Sequence, residues 1–452
     1  MMRFCPSTPL TCSIISSIKL LIRHNHGGRP QLQLSPSFSL ISDRVRVCGR
    51  GFSPCSPITI HATARSCEEE RLLFSSYGHY VTYEDGNVDV ATCESVGGTY
   101  TVVDERGLFW SMEAHDNYIN RFQMNNASLP IAYKLSCFYG HINDFARSHD
   151  SSVCNTSVTR SFLSPHVTRT PVRENNVVGT LFTPSGTGPF PAVLVIYGGL
   201  KRGKLIEDAA AVFANNGFVS LVVGYYGVEG LPKLYTTQPI DIAQFENALK
   251  YLSSLHVVDA NALGVWGISL GGGIAYMMAS FMKEVKAAIS VNGFGGAIGV
   301  DFVYKDVKLP PCYVDLNKLI QQDDGVFTDM NKCFPDLHDY PSSVIPIENA
   351  EADLLYIAGL DDACVDSGKE ADFAEHRIKS AGKGNLEIAR YPGLGHLVDS
   401  AYAPPCNTSF HPFLPPKGLL YFGGGDKQVH VMQARKSWNK MISFFKKSLV
   451  GV

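Results

Sequence analysis

The chain has 452 residues, with 39 Lys and Arg against 42 Asp and Glu, a net charge of −3 and only 18% charged residues. Such a balance offers no basic surface, so no nucleic-acid partner is expected. No apolar run reaches the ~18 residues that a membrane-spanning helix needs, and the length has room for two or three domains around a large core.

Residues 1–34 read as a leader. Arg3, Lys19, Arg23 and Arg29 lie there with no acidic residue before Asp43. In "TCSIISSIKLLIR", Ile14, Ile15, Ile18, Leu21 and Ile22 fall on one helical face, and Cys12, Ser16, Lys19 and Arg23 on the other. A secretory signal would keep its charge at the edge of the apolar run, whereas Lys19 sits inside it. The segment is expected to be a mitochondrial transit peptide, the alternative being a disordered leader on a cytoplasmic protein.

Residues 35–170 are β-rich. "RVRVCGRG", "PITIHATA", "HYVTYED", "GTYTVVD", "IAYKLSCFYG" and "SVTRSFLSP" alternate or carry β-branched residues between Gly, Pro, Asn and Asp turns. They predict an antiparallel, immunoglobulin-like sandwich without a catalytic motif. The aromatics of "RGLFW" (106–110) are expected in its core.

Residues 171–452 change to strand–helix alternation. "PAVLVIYG" precedes the helix "KLIEDAAAVFANNG", then come "FVSLVVGYYG", the amphipathic "DIAQFENALKYLSSL", and a strand running into "GISLG". The helix "GGIAYMMASFM" and the strand "VKAAISVNGF" follow. After a polar insertion from about 295 to 346 the order resumes with "DLLYIAGLDD", "GKEADFAEHRIKSAG", "LEIARYPGLGH" and a closing helix. Near-continuous apolar strands between helices predict an α/β domain on a mostly parallel sheet.

The pentapeptide Gly267-Ile268-Ser269-Leu270-Gly271 sits where a strand should turn sharply into a helix. A serine hydroxyl is a poor nucleophile until a base takes its proton, so its Oγ must stand clear of the sheet. Glycines at 267 and 271 permit that turn. An α/β-hydrolase then demands an acid after a later strand and a histidine beyond it. Asp361 and Asp362 close "DLLYIAGL", and His396 closes "LEIARYPGLGH". Asp366 is a third candidate for the acid. The oxyanion donors would be the backbone amide of Leu270 and one from the loop after "PAVLVIYG", around Gly198 and Gly199.

The 12 cysteines form no C-x-x-C pair and no Cys/His cluster, so no structural metal is expected and free thiols are favoured over disulfides. Sequons at Asn126, Asn155 and Asn407 carry little weight without a secretory signal.

Stretches such as "VRVCGRGFSPCSPITIHA", "GGTYTVVDERGLFWSM", "GYYGVEGLPK", "GISLGGGIAYMMASF", "GLDDACVDS" and "YPGLGHLVDSAYAPPC" resemble the type I acyl-CoA thioesterase and bile acid-CoA:amino acid N-acyltransferase family, over nearly all the chain beyond the leader. The resemblance implies a triad of Ser269, Asp362 and His396, no cofactor, and hydrolysis of fatty acyl-CoA to free acid and CoA. Many thioesterases of the family carry a charged residue where this chain has Leu270. The family's N-acyltransferases use a cysteine nucleophile, so Ser269 favours water as acyl acceptor, with transfer to glycine or taurine as the alternative. Acyl-chain length and oligomeric state stay open.

Overall fold

The computed structural model describes residues 29–65, 73–115, 121–145, 151–198, 205–233, 238–400, 402–411 and 418–451. Most of the expected leader and Gly199 lie outside them.

The N-terminal part builds β1 (Gln31–Ser35), β2 (Phe38–Leu40), β3 (Arg46–Arg50), β4 (Pro57–Arg65), β5 (Leu73–Val81), β6 (Val88–Asp89), β7 (Glu113–Ala114), β8 (Ile131–Tyr139) and β9 (Cys154–Ser161). They form two sheets, ordered β1-β3-β6 and β2-β9-β8-β4-β5-β7. Period-two alternation explains the inner face: Ile131, Tyr133, Leu135 and Cys137 of β8 are buried while Ala132 and Lys134 are exposed. The single-turn helix α1 (Gly107–Trp110) is wholly buried, which places Phe109 and Trp110 in the core. Arg160 beneath it is also buried; its guanidinium donates to the carbonyls of Leu40, Ile41 and Asp43 and stacks over Phe109.

Three details differ from the expected pattern. The strand Gln31–Ser35 reaches back across residue 34, because it pairs along its whole length with β3. The sandwich is not purely antiparallel, since β2 runs parallel to β9. "GTYTVVD" is no strand: Thr99 spends its hydroxyl on Ser111 and its backbone amide on Tyr77, and the Tyr100 hydroxyl bonds Tyr80. Fixed side-chain anchors replace a ladder there.

The second part contains one eight-stranded sheet. Its strands are β10 (Val167–Glu174), β11 (Val177–Pro184), β12 (Phe190–Ile196), β13 (Val219–Val223), β15 (Val258–Ile268), β16 (Val285–Val291), β21 (Asp353–Gly359) and β22 (Asn385–Tyr391). Their order is β10-β11-β13-β12-β15-β16-β21-β22. The pairs β10/β11 and β11/β13 are antiparallel and the remainder parallel. Every residue of β13 is buried, as a sheet covered on both faces requires. Helices α2 (Asp208–Asn215), α3 (Ala243–Ser254), α4 (Leu270–Phe281), α5 (Ser367–Ala381) and α6 (Lys427–Phe445) accompany it. This is an α/β-hydrolase sheet. The chain steps from β12 out to β13 and then back past β12 to β15, so the direction of winding reverses between β12 and β15. Ligand sites form at the carboxyl ends of strands at such a reversal.

The polar insertion is not structureless. It carries β17 (Phe302–Tyr304) and β18 (Val307–Leu309), which join β14 (Ile240–Asp241), and β19 (Ile320–Gln321) and β20 (Phe327–Thr328), which join β23 (Thr408–His411) and β24 (Leu419–Phe422). Short 3-10 turns complete it.

The two parts are fastened by residues 121–129. The carbonyl of Met124 accepts from the amide of Glu207 at 2.7 Å, and the buried Glu207 carboxylate accepts from the Ala127 amide at 2.9 Å. Arg169 at 2.6–2.7 Å and Thr180 at 2.8 Å complete that carboxylate.

Candidate active site

Ser269 stands between β15 and α4 with φ 57° and ψ −124°. This is a left-handed conformation that a residue with a Cβ adopts at a cost of about 1–3 kcal/mol. The neighbours enforce it. The Ser269 amide donates to the Val291 carbonyl at 2.9 Å, and its own carbonyl accepts from Gly272 at 2.9 Å. A Cβ at Gly267 would overlap the Gly271 carbonyl, and one at Gly271 would overlap the Ile196 carbonyl, so the glycines let β12, β15 and α4 meet at the turn.

His396 reaches this hydroxyl from the loop after β22. Its Nε2 lies 3.0 Å from Ser269 Oγ, and its Nδ1 lies 2.8 Å from Asp362 Oδ2. In the neutral ring, Nδ1–H donates to the carboxylate and Nε2 is left to accept the serine proton. Asp362 is held by four donors. Its Oδ1 accepts from the amides of Cys364 at 2.7 Å and Val365 at 2.9 Å, and Oδ2 accepts from the Ser367 hydroxyl at 2.7 Å as well as from His396. Asp361 is exposed, and among the described residues its carboxylate accepts the Gly393 amide alone, at 3.1 Å. Asp366 caps α5 by accepting from Lys369 N. Of the three carboxylates, only Asp362 meets the histidine.

Leu270 opens α4, where the first amides have no intrahelical acceptor. Gly198 packs directly on the elbow: a Cβ built on it would lie 2.9 Å from Leu270 N and 3.0 Å from Ser269 Cβ. The Gly198 carbonyl is tied by the hydroxyls of Tyr225, at 3.4 Å, and Tyr226. Gly198, where the loop expected to supply the second oxyanion donor begins, therefore lies beside the elbow. Gly199 itself lies outside the described residues.

Ser269 and His396 open into a cavity of about 320 Å³. Its walls are mainly apolar, with Phe294, Ile298, Phe302, Leu316, Met330 and Phe334 drawn from the insertion and its approach. Arg121 reaches it from the N-terminal part. Asp362, Cys364 and His396 present ligand-type atoms within 4.8 Å of one another. The Asp362 and His396 atoms are already bonded to each other, and burial together with the Asp362 carboxylate pushes the Cys364 thiol well up, which keeps it protonated. A hydrogen-bonded pair beside a neutral thiol accounts for the cluster. The nine cysteines among the described residues are free thiols.

Several supporting residues carry no sequence signal of their own. Asn292, at the end of β16, donates from Nδ2 to the carbonyls of Gly395 at 3.0 Å and His396 at 3.2 Å, and its Oδ1 accepts from Gly359 at 2.8 Å. His430 on α6 accepts the Gly395 amide on Nδ1 and donates from Nε2 to the Leu397 carbonyl. That tautomer is neutral, in keeping with burial pushing its basicity down.

Residues 42–174 match the family description "Acyl-CoA thioester hydrolase/BAAT N-terminal region", and residues 240–451 match "BAAT / Acyl-CoA thioester hydrolase C terminal". The chain is 33% identical over 409 residues to the human "Acyl-coenzyme A thioesterase 2, mitochondrial", covering 90% of this chain and 82% of that one. It is 33% identical to the human "Acyl-coenzyme A thioesterase 1", covering 90% and 94%. To the mouse "Acyl-coenzyme A amino acid N-acyltransferase 2" it is 30% identical over 93% of this chain and 98% of that one. Both halves match in order, nearly end to end, and the chain belongs to the acyl-CoA thioester hydrolase/BAAT family of enzymes.

Proposed function

We propose that this thioester hydrolase cleaves fatty acyl-CoA to free fatty acid and CoA through an acyl-enzyme on Ser269. The observation that carries the reading is the unbroken hydrogen-bond chain Ser269–His396–Asp362 facing an apolar cavity. Ser269 Oγ attacks the thioester carbonyl while His396 Nε2 takes its proton, and Asp362 holds Nδ1–H and stabilises the imidazolium. The oxyanion meets the Leu270 amide and a second donor from the Gly198–Gly199 loop. His396 returns the proton to the departing CoA sulfur. It then activates water on the acyl ester, and the fatty acid leaves. A serine ester is less activated toward amines than a thioester, which favours water over glycine or taurine as the acceptor.

The same reading divides the chain into a leader, a sandwich over about 35–170 and a catalytic part from 171 onward. A leader that spares β1 ends by about residue 30, since β1 begins at Gln31. Basic residues on one face of residues 12–23 and an apolar stripe on the other support a mitochondrial address, against a cytoplasmic one.

The test is an assay of the purified protein and its Ser269→Ala variant on acyl-CoAs of graded chain length, with and without glycine or taurine. CoA released with free acid, and lost in the variant, is expected. Acyl-glycine or acyl-taurine as the main product overturns the choice of acceptor, and undiminished cleavage by Ser269→Ala overturns the mechanism.

A further inference from the structure

Among the described residues lining the catalytic cavity, Arg121 is the one Lys, Arg, Asp or Glu side chain. It comes from the segment ahead of β8, on the sandwich side. Its partner Asp399 lies three residues beyond His396. The guanidinium grips the carboxylate at two points, Nε to Oδ2 at 3.0 Å and Nη2 to Oδ1 at 2.5 Å, and Gln123 Nε2 adds a bond to Oδ1 at 3.2 Å. The Asp399 carbonyl is held separately by Trp438 Nε1 at 2.7 Å. The two ionic side chains are only 16% and 7% exposed. Every side-chain bond described for this carboxylate thus comes from residues 121–123.

We infer that the Arg121–Asp399 pair is a positioning device through which the N-terminal sandwich holds the His396 loop against Ser269 and cancels a charge beside the imidazole. The inference rests on the triad reading above. A planar two-point grip fixes orientation as well as distance, which a lysine ammonium cannot do. A buried pair that loses one partner leaves the other charge uncompensated. Among the described residues, the groups that feel the charges of the pair are Asp208 with its partner Tyr197, His430 from α6, Tyr421 from β24, Cys406, and Cys364 from the loop that also carries Asp362. Cys364 lies within 4.8 Å of the catalytic pair. Arg121 and His396 line the same cavity, and Asp399 is on the loop that carries the imidazole, so an unbalanced charge at 121 or 399 acts on that ring.

The signs are opposite for the two partners. With Arg121 neutralised, the bare Asp399 carboxylate favours imidazolium, and more alkaline solution is needed to free the base. With Asp399 neutralised, the bare guanidinium opposes imidazolium, and the base is freed at lower pH.

The experiment uses the full chain and measures kcat and KM for a medium-chain acyl-CoA against pH, with thermal unfolding alongside, for Arg121→Gln, Arg121→Lys, Asp399→Asn and the double variant Arg121→Gln/Asp399→Asn. For Arg121→Gln the acid limb of kcat/KM is expected to move up by about half a pH unit, and for Asp399→Asn down by as much, the order of effect of one uncompensated, partly screened charge. In the double variant the limb returns to the wild-type position. Arg121→Lys keeps the limb but loses about tenfold or more in kcat with KM little changed, because the loop is held less exactly. Where Arg121→Gln does not fold, Asp399→Asn and the double variant decide. Limbs that stay put, or move in the same direction, in folded variants overturn the inference. Failure of the triad reading is read separately, as retained cleavage in Ser269→Ala against an active wild type, and it takes the clamp with it.

Discussion

The side-chain amide of Asn292 donates to the main-chain carbonyl of His396, 3.2 Å away, so the end of β16 carries the loop that presents the imidazole. Asn292 is fully buried, and its other bonds reach Gly395 and Gly359 at the ends of two further strand connections. Asn292→Ala removes three bonds at once and strips the Gly359 amide and the Gly395 carbonyl of their Asn292 partner, while the His396 carbonyl keeps only the Val398 amide. It is expected to cost about 2–4 kcal/mol of stability and to lower kcat by about tenfold or more. Chemical denaturation with parallel kinetics checks this, and a variant as stable and active as wild type refutes it.

Ser269→Ala should abolish thioester cleavage and leave the unfolding temperature close to wild type, because Ser269 is only partly buried and, among the described residues, its hydroxyl makes one bond, to His396. Ser269→Gly goes further. Glycine adopts φ 57° without the Cβ penalty, so this inactive variant is expected to be more stable than Ser269→Ala by about 1 kcal/mol. Differential scanning calorimetry of the pair decides it. Equal stability would mean the turn is unstrained.

For the acid, Asp362→Asn should lower the rate by about 10⁴-fold, since the amide disfavours the tautomer that leaves Nε2 free to accept. Asp361→Asn keeps an oxygen for the Gly393 amide, does not touch His396, and should stay within a few-fold of wild type. Single-turnover rates on one acyl-CoA compare the two directly, and the reverse ranking would transfer the role to Asp361.

These residues differ in how far the sequence could reveal them. The meeting of Ser269 with His396 is legible in the sequence because an elbow and a strand-end histidine each need a recognisable local pattern, and the apolar strands set their order. Choosing Asp362 over Asp361 needed the family resemblance, because adjacent carboxylates differ only in which way the backbone turns them. Asn292, His430 and the Arg121–Asp399 pair were not legible, since their roles come from loops that the fold brings together across 35 to 278 residues of chain. "GTYTVVD" shows the opposite failure. Its β-branched residues are strand-like, but Thr99 and Tyr100 spend their hydroxyls on neighbouring elements instead.

On the mechanism proposed above, the acyl acceptor follows from the nucleophile. With glycine or taurine at high concentration, wild type should release free acid with no more than a trace of amide product, because the serine ester is poorly activated toward amines. Ser269→Cys makes a thioester intermediate from the same geometry and should raise the ratio of amide to acid. Mass spectrometry of the products measures that ratio. If it stays flat across the substitution, the nucleophile does not select the acceptor.

Glu370 is a buried carboxyl on α5 whose Oε2 accepts the Gly295 amide at 2.9 Å, next in sequence to Phe294 of the cavity wall. Burial is the main cause that pushes it up from 4.5 to about 7; the Gly295 amide and Lys369 pull the other way, and Asp366 and Asp336 add to the rise. Because the folded chain holds this proton more tightly than the unfolded one, folding is favoured below about pH 4.5. The advantage shrinks as pH rises through 7, where the buried group must ionise. Glutamine keeps an oxygen for the Gly295 amide and never ionises. Glu370→Gln should therefore change little at pH 5, gain on the order of 2 kcal/mol at pH 8, and flatten the dependence of stability on pH between those values. Urea unfolding at both pH values tests it. An equal effect at pH 5 and pH 8 would show that Glu370 does not titrate in this range.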